Sequence, residues 1–179
     1  MNKEKLPKPV VIGLRGVAGA GKTTIQKLLV ERIDKAVAES VAGPLKTGLA
    51  IMGVTKQNHP GTYRRMAQLV GATMREIDEN WWSSQASLWW QQRLRDGWVF
   101  VVDDIRYENE RDLCDYVFYI EAGFPAGLTG DEAKHESERM NSQGAGSDHF
   151  IFNPSGAPEV AAGRILQTLL DNPILRSKL

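Results

Sequence analysis

The chain has a single cysteine, Cys114, among 179 residues, and no excess of either charge, with Lys+Arg 22 against Asp+Glu 22. A lone cysteine excludes an internal disulfide and fits a reducing cytoplasm, where Cys114 reads as a small buried apolar residue. Balanced charge excludes the global basic surface that duplex nucleic acid requires. No apolar run reaches the roughly eighteen residues that span a membrane. Residues 1–8 are charged and lack the apolar centre of a secretory signal, so they read as a frayed end leading into the first strand. There is no internal repeat and no linker. The length is that of one domain, large enough to bury a core without disulfides or structural metal.

Glycine is the residue that is placed rather than scarce. After the apolar run Val10-Val11-Ile12-Gly13-Leu14 comes Gly16-Val17-Ala18-Gly19-Ala20-Gly21-Lys22-Thr23, followed by Thr24 and a helical pattern. Strand, glycine turn and helix in that order form a phosphate-binding loop. Without a Cβ in the way, backbone N–H groups turn inward around phosphates, and the helix N-terminus adds partial positive charge at the same place. Residues 16–24 are therefore the expected ATP site. Lys22 would reach the β- and γ-phosphates, and the Thr23 hydroxyl would serve Mg²⁺.

Short β-rich runs alternate with helical segments, which argues for a parallel sheet with helices on both faces. Strands are expected at 10–15, 36–41, 98–102, 116–120 and 150–153. A helix at 24–33 would bury Ile25, Leu28, Leu29 and Ile33 on one face. Further helices are expected at 45–52, from an N-cap at Thr62 to about 74, and at 159–170, with 171–179 a tail. Residues 75–95 read as one long amphipathic segment carrying Trp81, Trp82, Trp89 and Trp90. The two Trp pairs lie eight apart, near one helical stripe, which suits core packing better than a platform for stacking bases. Residues 123–146 are rich in glycine and charge and poor in apolar residues, so they read as an excursion outside the core.

The strand 98–102 ends in Asp103-Asp104. An apolar strand closing on aspartate beside a phosphate loop supplies a carboxylate for the Mg²⁺ shell. Asp104 is the expected metal residue, with Asp103 its nearest competitor. Arg106 follows just past the strand end, where it could clamp a phosphate or pair with Glu108 or Glu110 on the surface.

Five further blocks, in order, resemble one family. They are Ser40-Val-Ala-Gly-Pro44-Leu-Lys46, Thr62-Tyr-Arg64-Arg-Met-Ala-Gln68-Leu-Val-Gly71, Asp104-Ile-Arg106-Tyr-Glu-Asn-Glu110, His135-Glu-Ser-Glu138 and Asp148-His-Phe-Ile-Phe-Asn153. Together with the loop they look like the phage deoxynucleoside monophosphate kinases, within the wider nucleoside monophosphate kinase group of P-loop proteins. The resemblance implies a three-layer α/β fold with a five-stranded parallel sheet in the order 2-3-1-4-5. It implies ATP as donor, a deoxynucleoside monophosphate as acceptor, a monophosphate-binding subdomain near 45–90 and a lid near 123–146 within one kinase domain, 1–179. Catalytic roles would fall to Lys22, Asp104, Arg106 and Arg139, with Lys134 also in the lid and His135 a cap or anchor. Lys46, Arg64, Gln68, Arg75 and Arg106 would bind the acceptor, and Thr23 and Asp104 the metal. Tyr63, Gln68 and the Trp-rich helix could line the pocket for the base. A homodimer is compatible with this reading, no nucleic acid or membrane is expected, and the location would be the cytoplasm, that of a host if phage-encoded. The alternatives are another small-molecule P-loop kinase, such as one acting on dephospho-coenzyme A, a P-loop ATPase used as a switch, and a nucleic-acid module built on the Trp-rich helix.

Overall fold

A computed structural model of the chain describes residues 3–122, 149–154 and 157–172. Among them are five strands, β1 (Val11–Arg15), β2 (Ala36–Glu39), β3 (Val99–Val102), β4 (Tyr116–Ala122) and β5 (His149–Asn153). The helices are α1 (Lys22–Arg32), α2 (Gly43–Ile51), α3 (Pro60–Ile77), α4 (Trp81–Arg95), α5 (Glu108–Arg111) and α6 (Pro158–Asp171). All four strand pairings are parallel and give the order β2-β3-β1-β4-β5. This is the expected architecture and strand order.

Ser40–Gln91 forms one compact unit, and the described residues on either side of it form the other. The sheet lies wholly in the second of these. β1 and β3 are buried at every position, as strands covered on both faces must be. Ile12, Leu14, Val101, Phe118, Ile120 and Ile151 turn one face toward Ile25 and Leu29 of α1, Ile33 at its C-cap, and Ala161, Ile165 and Leu169 of α6. Burying each large apolar side chain is worth about 1.5–3 kcal/mol, so this layer dominates the stability of the unit. On the opposite face a side chain at Gly13 would stand 2.8 Å from the Cys114 sulfur and 2.9 Å from Ile105. Burial pushes the Cys114 thiol well above its ordinary value, and the adjacent Asp115 carboxylate adds to the shift.

The unit of residues 40–91 buries Leu45 and Leu49 of α2, Tyr63 and Gly71 of α3, and Trp82, Ala86 and Trp90 of α4. Trp82 and Trp90, eight apart, are thus core residues, while Trp89 is exposed. The Trp82 indole N–H donates to the Gly71 carbonyl at 3.1 Å, which gives the polar end of a buried indole its partner.

Several expectations are corrected. Residues 75–95 are not one helix: α3 ends at Ile77, and the Asp78 carboxylate accepts the Asn80 N–H at 2.9 Å before α4 begins. Aspartate favours this local turn over continued helix. α3 starts at Pro60 with His59 as N-cap, not at Thr62, because proline suits the first helical turn. α5 was not expected at all. Residues 3–8 are not frayed. The Glu4 N–H donates to Arg32 O at 2.7 Å, the Asp34 N–H donates to Glu4 O at 2.7 Å, and Leu6 joins the core. The expected excursion at 123–146 lies outside the described residues, as does the end of the expected tail. Among the described residues no helix is long and apolar enough to cross a membrane.

The docked amino-terminal segment gives a test. Leu6→Ala is expected to lower unfolding free energy by about 2 kcal/mol in urea titrations. A change within about 0.5 kcal/mol would mean that Leu6 contributes nothing to the core.

Candidate functional site

The loop between β1 and α1 can be built only from glycine at its ends. Gly16 has φ 137 and Gly21 has φ 88, values that side-chain-bearing residues avoid. A Cβ on Gly16 would stand 2.5 Å from the Ile120 carbonyl oxygen, and one on Gly21 would stand 2.6 Å from Asn153 Nδ2. The loop is thus pressed against the carboxyl ends of β4 and β5 with no room for a methyl group. Gly21 is also the N-cap of α1 and has no side chain to bond the first-turn amides, so the helix starts with its donors and its positive dipole end at the loop.

Lys22 Nζ donates to the carbonyls of Gly16 at 2.7 Å and Val17 at 2.9 Å, so the ammonium sits across the loop. The Thr23 hydroxyl donates to Asp103 Oδ2 at 2.6 Å. Asp103 is the first residue past β3, and β3 pairs with β1, so the topology brings threonine and carboxylate together from 80 positions apart. Asp104, expected as the metal residue, is half-buried beside it. Among the described residues no three His, Cys, Asp or Glu side chains cluster as a metal cage. A magnesium ion that accompanies nucleotide phosphates needs only one or two protein oxygens. The hard oxygen pair of Thr23 and Asp103 fits that demand.

Arg106 is held by its backbone on both sides. Its N–H donates to Glu110 Oε2 at 2.9 Å, and the Tyr107 N–H donates to the same oxygen at 3.2 Å. Its carbonyl accepts Arg15 Nη2 at 3.2 Å. Arg15 closes β1, is almost fully buried, and also meets Glu108 Oε1 at 3.3 Å. Glu108 thus has Arg15 as a partner, and Glu110, itself buried, serves main-chain amides. Tyr119 lies opposite Arg15 in the β1–β4 register. Burial and Glu121 raise its phenol, and Arg15 opposes them. Gln26 is buried too, and its amide donates to Glu39 O and Val101 O at 2.9 and 2.7 Å, fastening α1 to the ends of β2 and β3.

The other expected residues belong to the unit of residues 40–91. Lys46 Nζ donates to the Ser40 hydroxyl, which joins the two ends of the Ser40-to-Lys46 block. Arg64, Gln68 and Arg75 lie on α3 at spacings of four and seven, which puts them on one stripe of the helix. All three are half-buried, and Arg75 Nη1 donates to Gly71 O at 3.0 Å. Tyr63, a candidate for the base pocket, is buried with Lys56 Nζ 5.8 Å from its ring centre. Lys134, His135 and Arg139 lie outside the described residues.

Sequence reasoning missed Arg15 and Gln26, and it read Asn153 only as the close of the Asp148-to-Asn153 block, not as a partner of the loop. Arginine as the last residue of an otherwise apolar strand was a usable signal for the first. Gln26 had none, and the block ending at Asn153 did not show what its amide meets, because glutamine and asparagine become informative only when their burial is known.

No family model matches the chain, and no curated protein matches it in sequence. Solved structures do match its shape. Thymidylate kinase from Candida albicans superposes with a TM-score of 0.57 at 8% identity over 94% of each chain. A sugar kinase from Janibacter gives 0.54 at 14% identity over 94% of this chain and 98% of that one. A Thermus thermophilus protein gives 0.56 at 16% identity, covering 91% and 97%. At such identities the likeness is one of fold: the chain has the P-loop kinase fold.

Gly16→Ala tests the geometry of the loop. It is expected to lower thermal stability by about 2 kcal/mol or more, since both φ and the Ile120 carbonyl forbid the methyl group. A melting temperature equal to that of the wild type would contradict the geometry.

Proposed function

We propose that the protein is an ATP-dependent kinase that moves the γ-phosphate of ATP to a deoxynucleoside monophosphate, giving ADP and the deoxynucleoside diphosphate. The observation that carries the proposal is the joining of Thr23 to Asp103 beside a glycine-bounded loop, with Arg106 held by its own backbone in the segment that follows Asp103. Phosphoryl transfer asks a protein for position and for charge stabilisation rather than for a covalent intermediate. The loop amides and Lys22 would bind the β- and γ-phosphates. Thr23 and Asp103 would hold magnesium, with Asp104 as the adjacent carboxylate. The ion supplies charge neutralisation to the phosphates when bound.

The acceptor's phosphate oxygen is already ionised at neutral pH, so no general base is required. Arg106 would neutralise charge at the moving phosphoryl group and orient the acceptor. The α3 stripe of Arg64, Gln68 and Arg75 offers two cations and an amide to a monophosphate and its base, and Lys46 a further cation. The resemblance to deoxynucleoside monophosphate kinases supports this choice of acceptor. The fold it shares with a thymidylate kinase and a sugar kinase is compatible with other acceptors.

Coupled release of ADP decides among them, with deoxynucleoside monophosphates, ribonucleoside monophosphates, dephospho-coenzyme A and simple sugars offered separately. Stimulation by deoxynucleoside monophosphates is expected, and its absence contradicts the proposal. Lys22→Ala is expected to reduce turnover at least about 100-fold with an unchanged circular dichroism spectrum. Arg106→Ala is expected to lower kcat/KM for the acceptor by about 100-fold while KM for ATP stays constant. A loss confined to ATP would assign Arg106 to the donor.

A further inference from the structure

Asn153 closes β5, and its side chain reaches the back of the phosphate loop. Its Nδ2 donates to the Ala20 carbonyl at 2.8 Å, and its Oδ1 is buried without a hydrogen bond among the described residues. Among the described residues only the donor half of this carboxamide has a partner, one backbone oxygen of the loop. The next peptide is already committed elsewhere, because Gly21 O accepts the Ile25 N–H at 2.9 Å and starts α1.

The peptide between Ala20 and Gly21 is trans, like every peptide described, so its N–H points opposite to its carbonyl. Holding the Ala20 carbonyl toward β5 therefore turns the Gly21 N–H away from β5. A phosphate loop binds its anion through N–H groups that all face one concave side. The Gly21 peptide could otherwise rotate readily, since glycine accepts both signs of φ. Its lack of a side chain is also what admits Asn153, whose Nδ2 would stand 2.6 Å from a Cβ there.

We propose that Asn153 is a positioning residue of the phosphate loop: by fixing the Ala20 carbonyl it presets the Gly21 N–H for the triphosphate of the donor. The inference rests on the reading of residues 16–23 as a phosphate site. It concerns the polyphosphate and not the base, which separates it from a role in nucleotide recognition.

The test measures binding of inorganic tripolyphosphate and of ATP to the full chain by calorimetry, with thermal melts to monitor folding. Asn153→Leu keeps a side chain of similar size but cannot donate. It is expected to weaken both probes by the same factor, about tenfold, the worth of one preset hydrogen bond to a charged group. In turnover, KM for ATP should rise by that factor, and kcat at saturating ATP should stay within about twofold. Unchanged affinity for tripolyphosphate would overturn the inference, and so would weakening of ATP alone, which would assign Asn153 to the base. If Asn153→Leu does not fold, Asn153→Asp is measured with the same probes. Measured at a pH where it is ionised, its carboxylate cannot donate to the Ala20 carbonyl, so affinity for both is expected to fall further, and equal or better binding there would overturn the inference. A wild-type chain that binds neither probe would overturn the phosphate-site reading itself, an outcome distinct from the failure of Asn153 alone.

Discussion

The carboxyl edge of the sheet depends on one steric constraint: the loop after β1 must pass between the Ile120 carbonyl and the Asn153 amide with no side chain at Gly16 or Gly21. Both residues occupy conformations that glycine alone adopts without strain. Once the chain has made that turn, α1 must start with its amide donors at the loop. Lys22 and Thr23 follow from the register of the helix. The parallel pairing of β1 with β3 then puts Asp103 against Thr23. None of these placements needs an interaction stronger than an ordinary hydrogen bond, because the buried strands fix where each loop begins.

A second constraint governs Arg106. Its guanidinium stands on a loop, where a side chain is ordinarily free to move, yet its own N–H and carbonyl are tied to Glu110 and Arg15. Burying the Arg15 charge is costly unless it is hydrogen-bonded. The Arg106 carbonyl and Glu108 both meet it, so the buried cation and the loop order each other. What is fixed is the point from which the Arg106 side chain departs.

The fold was legible because its signals are periodic and local. The apolar runs ending at Leu14 and Val102 announce buried parallel strands, and the spacing of Ile25, Leu29 and Ile33 announces the face of α1. The turn of the loop was legible letter by letter, since Gly16 and Gly21 stand where a side chain does not fit. Element ends were less so. Asp78 stops α3 through a side-chain bond to Asn80 that no periodicity shows, and Leu6 is drawn into the core by a pairing between Glu4 and the far end of α1. Which carboxylate meets Thr23 was not legible either: Asp103 and Asp104 are equivalent as letters, and the hydrogen bond from the Thr23 hydroxyl falls on Asp103. The bonds of Arg15 to the Arg106 carbonyl and of Asn153 to the Ala20 carbonyl escaped notice because they end on backbone oxygens, to which any residue contributes equally.

The central claim is transfer: the γ-phosphate leaves ATP for an organic acceptor and not for water. The most direct measurement follows γ-labelled ATP incubated with the protein, magnesium and a deoxynucleoside monophosphate, with separation of the products. The account predicts the label in the deoxynucleoside diphosphate in step with the ADP formed. Label recovered only as inorganic phosphate, whatever monophosphate is present, would contradict it.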